Sequence, residues 1–155
     1  MSASGAIGLG AISGLRAFSG PAVVSRAASR GHLNLDGTPL GFLKSPRLSK
    51  VLTIMALGEF VGDKLPTTPS RTALSPLIGR AVSGGLVGAA LFASEGRRVP
   101  AGAILGAASA VAAASAGERL RAFAGERTGV PDPLVAVAED AVVLAIGAYS
   151  LRRDR

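Results

Sequence analysis

Apolar residues run along this chain in long blocks, divided by short breaks rich in charge and proline. The first block extends from Gly5 to Ala28, with Arg16 in its middle and Pro21 placed to kink a helix. A polar stretch from Ser29 to Lys50 follows, holding His32, Asp36, Lys44, Arg47 and Lys50. The second block, Val51 to Gly62, predicts a helix that begins earlier, with Ser45 as N-cap and Pro46 at the first helical position. It stops at Gly62-Asp63-Lys64-Leu65-Pro66. Ser75-Pro76 opens the third block in the same way. That block continues to Ala93, 18 residues or about 27 Å of helix. The break Ser94-Glu95-Gly96-Arg97-Arg98 leads to a fourth helix opened by Pro100. This helix is apolar to Ala116 and amphipathic through Glu118, Arg119, Leu120, Arg121 and Phe123. Asp132-Pro133 caps a fifth, ending near Leu151, with Arg152, Arg153 and Arg155 beyond it.

The pattern predicts an all-α integral membrane helical bundle of about five short Gly/Ala-rich transmembrane helices, or four if the second is re-entrant. One transmembrane domain accounts for residues 1–155. Composition agrees: 48% of residues are hydrophobic and 17% charged, against about 25% charged in a soluble domain. The 21 glycines and absence of Trp suit helices packed backbone to backbone in lipid. The N-terminus lacks the basic residues of a cleavable signal. The net charge of +7 reads as topology-setting loops. The basic residues fall at the ends of apolar blocks without interleaved aromatics, so nucleic acid is not an expected partner and the bilayer is. Five spans place ten Lys and Arg beside the first loop, third loop and C-terminus and six on the other side, with Arg16 inside. The positive-inside rule then puts the C-terminus in the cytoplasm.

Two pairs of segments resemble each other. Leu9-Gly10-Ala11-Ile12-Ser13 matches Leu105-Gly106-Ala107-Ala108-Ser109, and Ala56-Leu57-Gly58-Glu59 matches Ala136-Val137-Ala138-Glu139. An odd number of crossings between them makes this a candidate inverted repeat, with halves 5–66 and 100–151 linked by helix 76–93. Chance similarity in Ala/Gly-rich sequence is the competing explanation. Four of the apolar blocks carry glycines four apart: Gly10/Gly14, Gly58/Gly62, Gly84/Gly88 and Gly102/Gly106. Such faces admit another backbone, either a second copy of the chain or a neighbouring helix of the same one.

Charge inside apolar helices is the sharper signal. Glu59 lies between Ala56-Leu57-Gly58 and Phe60-Val61, and Glu139 and Asp140 interrupt a run from Leu134 to Ala145. A charge at the bilayer centre costs about 2.5–3.5 kcal/mol on insertion scales and persists when it pairs, faces water or binds something. Glu59 and Glu139, equivalent in the repeat, are candidate ligands for a metal cation or a proton, with Asp63 and Asp140 assisting. Arg16, Lys64 and Arg71 are candidate counter-charges or gates. The competing reading is structural: Arg16 pairs with a carboxylate to lock two helices, and Asp140 turns toward a loop-borne Arg71 or Arg80. The break at Gly62–Pro66 either offers free carbonyls to an ion or is closed by an Asp63–Lys64 bridge. Pro66-Thr67-Thr68-Pro69-Ser70-Arg71 is a turn that could greet a phosphate headgroup or simply turn. Enzymatic chemistry is not expected. His32 is the only histidine and lies in a loop, there is no cysteine, and no cofactor motif is present. Val61-Gly62-Asp63 approaches the Gly-Asp of intramembrane aspartyl proteases, but Phe60 stands where a glycine belongs and no Tyr-Asp partner follows.

Ser13-Gly14-Leu15-Arg16-Ala17-Phe18, Gly58-Glu59-Phe60-Val61-Gly62-Asp63-Lys64-Leu65-Pro66 with Pro69-Ser70-Arg71, and Ala138-Glu139-Asp140-Ala141 resemble a family of small bacterial membrane proteins known as domain of unknown function 4126. The resemblance spans nearly the whole chain in order. It implies a multi-pass protein of the bacterial inner membrane and supplies no activity. A looser likeness is to cation/proton exchangers that carry Glu-x-Gly-Asp-Lys once in each inverted half. Here Glu59 stands one residue further from Gly62-Asp63-Lys64, and the second half keeps Glu139 without Gly-Asp-Lys. The expectation is a small transporter or channel-like protein for a cation or proton-coupled solute. The alternative is a non-transporting structural or accessory subunit, with a second copy or a membrane-complex partner on its glycine faces.

Overall fold

The computed structural model describes residues 3–62 and 74–128. Within them the chain is helical, without strands: α1 (Ala3–Leu15), α2 (Ser19–Ser29), a 3-10 turn (Gly41–Lys44), α3 (Pro46–Gly62), α4 (Leu74–Ser94) and α5 (Val99–Thr128). Among the described residues two helices are long and apolar enough to cross a membrane, Leu74–Ser94 and Val99–Leu120. α4, at 21 residues, measures about 31 Å, close to the ~30 Å of a hydrocarbon core.

The glycine faces explain how the helices meet. A Cβ on Gly10 would stand 2.7 Å from the Gly106 carbonyl oxygen, and one on Gly14 would strike the backbone of Ala110. Gly84 approaches the Gly106 carbonyl and Gly88 that of Gly102. Three of the four glycine pairs are therefore used within one chain, joining α1, α4 and α5 at backbone contact. The fourth differs: Gly58 is exposed, with nothing within 4 Å of a Cβ placed there, and Gly62 has no described side-chain environment.

Register follows from the same contacts. Gly10 faces Gly106 and Gly14 faces Ala110, so α1 and α5 run parallel, while α4 runs antiparallel to both. The two similar segments thus lie side by side and in the same direction. Each closes the same local bond, Ser13 Oγ to the Leu9 carbonyl at 3.1 Å and Ser109 Oγ to the Leu105 carbonyl at 2.8 Å. The inversion expected for this pair is not what it adopts. The second pair includes residues 136–139, outside the described residues.

The reason is an extra reversal in the first apolar block. A single kinked span over 5–28 was expected. Instead α1 ends at Leu15, and α2 starts at Ser19. Gly20 already lies against Ser13 and the Leu9 carbonyl, so α2 folds back along α1. α1 has 13 residues and α2 has 11, about 19 Å and 16 Å, and neither crosses a bilayer by itself. Pro21 still sets the break, one turn upstream. It has no N–H for the Ala17 carbonyl and its ring displaces that group.

α2 ends with Gly31 at φ 80°, where the His32 N–H reaches the Ala27 carbonyl (2.9 Å) and the Gly31 N–H the Ala28 carbonyl (3.1 Å), the αL stop that glycine makes cheap. α4 ends the same way at Gly96, φ 64°, with the Arg97 N–H on the Phe92 carbonyl at 2.8 Å. α3 starts as its sequence predicts: Ser45 Oγ accepts the Leu48 N–H at 3.4 Å, with Pro46 first in the helix. α3 runs antiparallel to α2. Ser25 Oγ donates to the Leu43 carbonyl near one end at 2.8 Å, and Glu59 meets Phe18 at the other.

Beside a core that includes Leu9, Ile12, Val24, Leu91 and Phe92 lie charged residues that a soluble domain seldom buries, and large apolar side chains are exposed. Arg16 (1% exposed), Arg80 (6%), Ser13 and Ser25 are buried with small apolar residues. Ile54 (68%), Leu57 (61%), Leu74, Ile78, Val82 and Ile104 face outward. Water penalises such a surface and hydrocarbon does not.

Candidate functional site

The site grows from the break itself. Ending α1 at Leu15 leaves its last carbonyls without helical donors, and starting α2 at Ser19 leaves the amides before it without acceptors. Two side chains from other helices complete the two ends. The Glu59 carboxylate, from the last turn of α3, accepts the Ala17 N–H on Oε1 at 2.7 Å and the Phe18 N–H on Oε2 at 3.0 Å. The Arg80 guanidinium, from the first half of α4, donates through one nitrogen to the Gly14 carbonyl at 2.6 Å and the Leu15 carbonyl at 2.8 Å.

Each charge is matched to the helix end it meets. A helix N-terminus carries about half a positive charge and a C-terminus half a negative one. The anion sits at the start of α2 and the cation at the end of α1. Charged hydrogen bonds of this kind contribute about 1.5–3 kcal/mol each, more surely where water is excluded. Arg16 lies in the break and its side chain is among the most deeply buried in the protein. Ser19, first residue of α2, is also buried, and its Oγ has no hydrogen-bond partner among the described residues.

Depth follows from helix length. Arg80 lies 14 residues from the Ser94 end of α4, about 21 Å of helix. In a bilayer the break would sit inside the hydrocarbon region.

Of the residues singled out from sequence, Glu59 and Arg16 come together at this break. Asp63, Lys64, Arg71, Glu139 and Asp140 lie outside the described residues. Arg80, expected on a loop, is instead buried within α4 and holds the end of α1. Its signal was legible as an arginine inside Leu77-Ile78-Gly79-Arg80-Ala81-Val82. Glu118 was also passed over. The stripe of α5 that packs inward through Gly102, Gly106, Ala110 and Ala114 reaches Glu118 at the same four-residue spacing. Its Oε2 is buried without a hydrogen-bond partner among the described residues. Among those residues no three of His, Asp and Glu gather as a metal site would require.

The chain matches the family described as a domain of unknown function (DUF4126) over residues 4–152, and it belongs to that family. No curated protein and no solved structure matches it.

Proposed function

We propose that this member of the domain of unknown function 4126 family is a multi-pass protein of the bacterial inner membrane that works as a small transporter or channel-like protein for a cation or proton-coupled solute. The observation that carries this reading is the Glu59 carboxylate seated on the Ala17 and Phe18 amides at a helix break. Discontinuous helices with exposed half-helix ends form the binding sites of many transporters. Here a titratable side chain of the protein occupies one such end.

Protonation would remove the charge that suits Glu59 to the α2 N-terminus and weaken its grip on both amides. The freed amides and the buried Ser19 hydroxyl are then groups a solute could engage, with Arg80 and Arg16 as fixed positive charges beside them. Proton uptake at Glu59 thereby couples to opening of the break. Glu139 remains the proposed second carboxylate, with Asp63 and Asp140 assisting and Lys64 and Arg71 as gate residues.

A second reading is favoured by Gly58. Both helix ends are already satisfied by Glu59 and Arg80, as in a static scaffold. Exposed Gly58 beside exposed Ile54 and Leu57 leaves α3 a face for a neighbouring subunit.

Flux into proteoliposomes separates the two. Wild type and Glu59→Gln are compared for protons and a panel of mono- and divalent cations, with helical content checked in parallel. Loss of flux in a folded Glu59→Gln protein supports transport. An inert, well-folded wild type for every ion defeats the cation reading and leaves the accessory role to be pursued.

A further inference from the structure

The break lies toward one end of the bundle, and the other end has its own chemistry. α2 and α4 finish there and α3 and α5 begin there, because α1 and α5 are parallel and α2 folds back. Leu33, Leu35 and Leu43 of the intervening segment join Ala6, Leu9, Leu91 and Phe92 in one core cluster, which pins that segment to this end. The fold therefore collects Arg26, Arg30, Lys44, Arg47, Lys50, Arg97 and Arg98 at one end; all are exposed except the half-buried Lys44.

Only two described acids stand among these seven bases, and each already has a partner. Asp36 pairs with Lys44 at 2.5 Å and Glu95 with Arg97 at 3.4 Å. The α3 N-terminus adds to the positive potential. Its first turn has no acidic residue and includes Arg47, with Lys50 just after it, the reverse of what the helix dipole favours. Exposed Phe42 (53%) and Val51 (50%) flank the same bases. Apolar side chains beside lysine and arginine suit the boundary between acyl chains and headgroups.

We propose that this end is a docking surface for anionic phospholipid headgroups, with Arg47 and Lys50 as its centre and Phe42 inserted beside them. Charge complementarity selects this occupant: among the described residues the two acids leave an excess of positive charge at this end, and an anionic leaflet attracts each nearby base. The inference rests on membrane placement of the bundle but not on transport, so it stands or falls apart from flux.

The test titrates the full chain in neutral detergent with a fluorescent short-chain phosphatidylglycerol or phosphatidylcholine. Phosphatidylglycerol binds the wild type at least about tenfold more tightly at low salt, and the preference shrinks near 1 M salt, where the Debye length falls to about 3 Å. Arg47→Gln and Lys50→Gln each weaken phosphatidylglycerol binding by about fivefold. Arg119→Gln, an exposed change on α5 far from this end, leaves it unchanged. Helical content is checked for every variant. Equal binding of the two lipids by the wild type, or an equal loss in Arg119→Gln, overturns the proposal. So does tighter binding of a short RNA duplex than of phosphatidylglycerol, which would point to a different polyanion.

Discussion

Glu59 and Arg80 hold opposite ends of the same break: the carboxylate takes the Ala17 and Phe18 amides and the guanidinium takes the Gly14 and Leu15 carbonyls. The two residues come from different helices, yet each supplies the charge its helix end calls for. The break is thus a feature of three segments at once, and removing either side chain would expose backbone groups where water is scarce.

Arg80→Met keeps the length and apolar stem of the side chain and removes both charged hydrogen bonds. Two orphaned carbonyls in a buried position should cost about 2–5 kcal/mol. Denaturant titration in detergent micelles should show that loss. An unchanged midpoint would mean that the carbonyls find other donors and that Arg80 does not maintain the break.

Glu59→Ala should uncover the other end. The Ala17 and Phe18 amides should exchange with deuterium about 10–100-fold faster, since their protection rests on a single side chain. Amides in α5 around Ala110, which is fully buried, should keep their rates. Uniform acceleration throughout the chain would instead mean that Glu59 supports global stability.

Much of the fold was legible in the blocks of apolar residues and their breaks. Ser45-Pro46 starts a helix where the capping pattern places it, and the glycine pairs on α1, α4 and α5 mark real contact faces. The reversal at Arg16–Phe18 was not legible, because Pro21 predicts a kink of one helix and nothing local says that Glu59, 41 residues on from Phe18, will accept the freed amides. The reversal that Glu59 and Arg80 hold from either side gives α2 its direction. It also sets whether the Leu9–Ser13 and Leu105–Ser109 segments run parallel or inverted. Arg80 was readable as an arginine within an apolar run but not as a cap, since the carbonyls it serves are freed only once the break has formed.

The glycines offer a paired prediction. Gly106→Ala puts a methyl against the Gly84 backbone, which has no flexible end to yield. Overpacking of this kind costs about 1–3 kcal/mol. Gly58→Ala meets nothing within 4 Å and should be neutral or stabilising by up to about 1 kcal/mol through helix propensity. Both are read by denaturant midpoints of the purified chain. If Gly58→Ala is the more damaging, α3 is packed against a second copy or a partner through that glycine.

The hairpin of α1 and α2 predicts a topology that a continuous first span would not. It places the 30–45 segment, the α4–α5 turn and the start of α1 at one end, and the outer part of α5 at the other. The chain has no cysteine, so single introduced cysteines report without background. His32→Cys and Arg98→Cys replace exposed residues at the basic end, and Arg119→Cys replaces one at the opposite end. The positive-inside rule assigns the basic end to the cytoplasm. A membrane-impermeant maleimide should therefore label positions 32 and 98 only in inside-out vesicles and position 119 only in intact spheroplasts. Adding a cysteine at Ser4, near the start of α1, discriminates further. Labelling with positions 32 and 98 follows from the reversal at Arg16–Phe18. Labelling with position 119 would require the first apolar block to cross the bilayer as one helix, and the Glu59-capped break would then have to lie elsewhere.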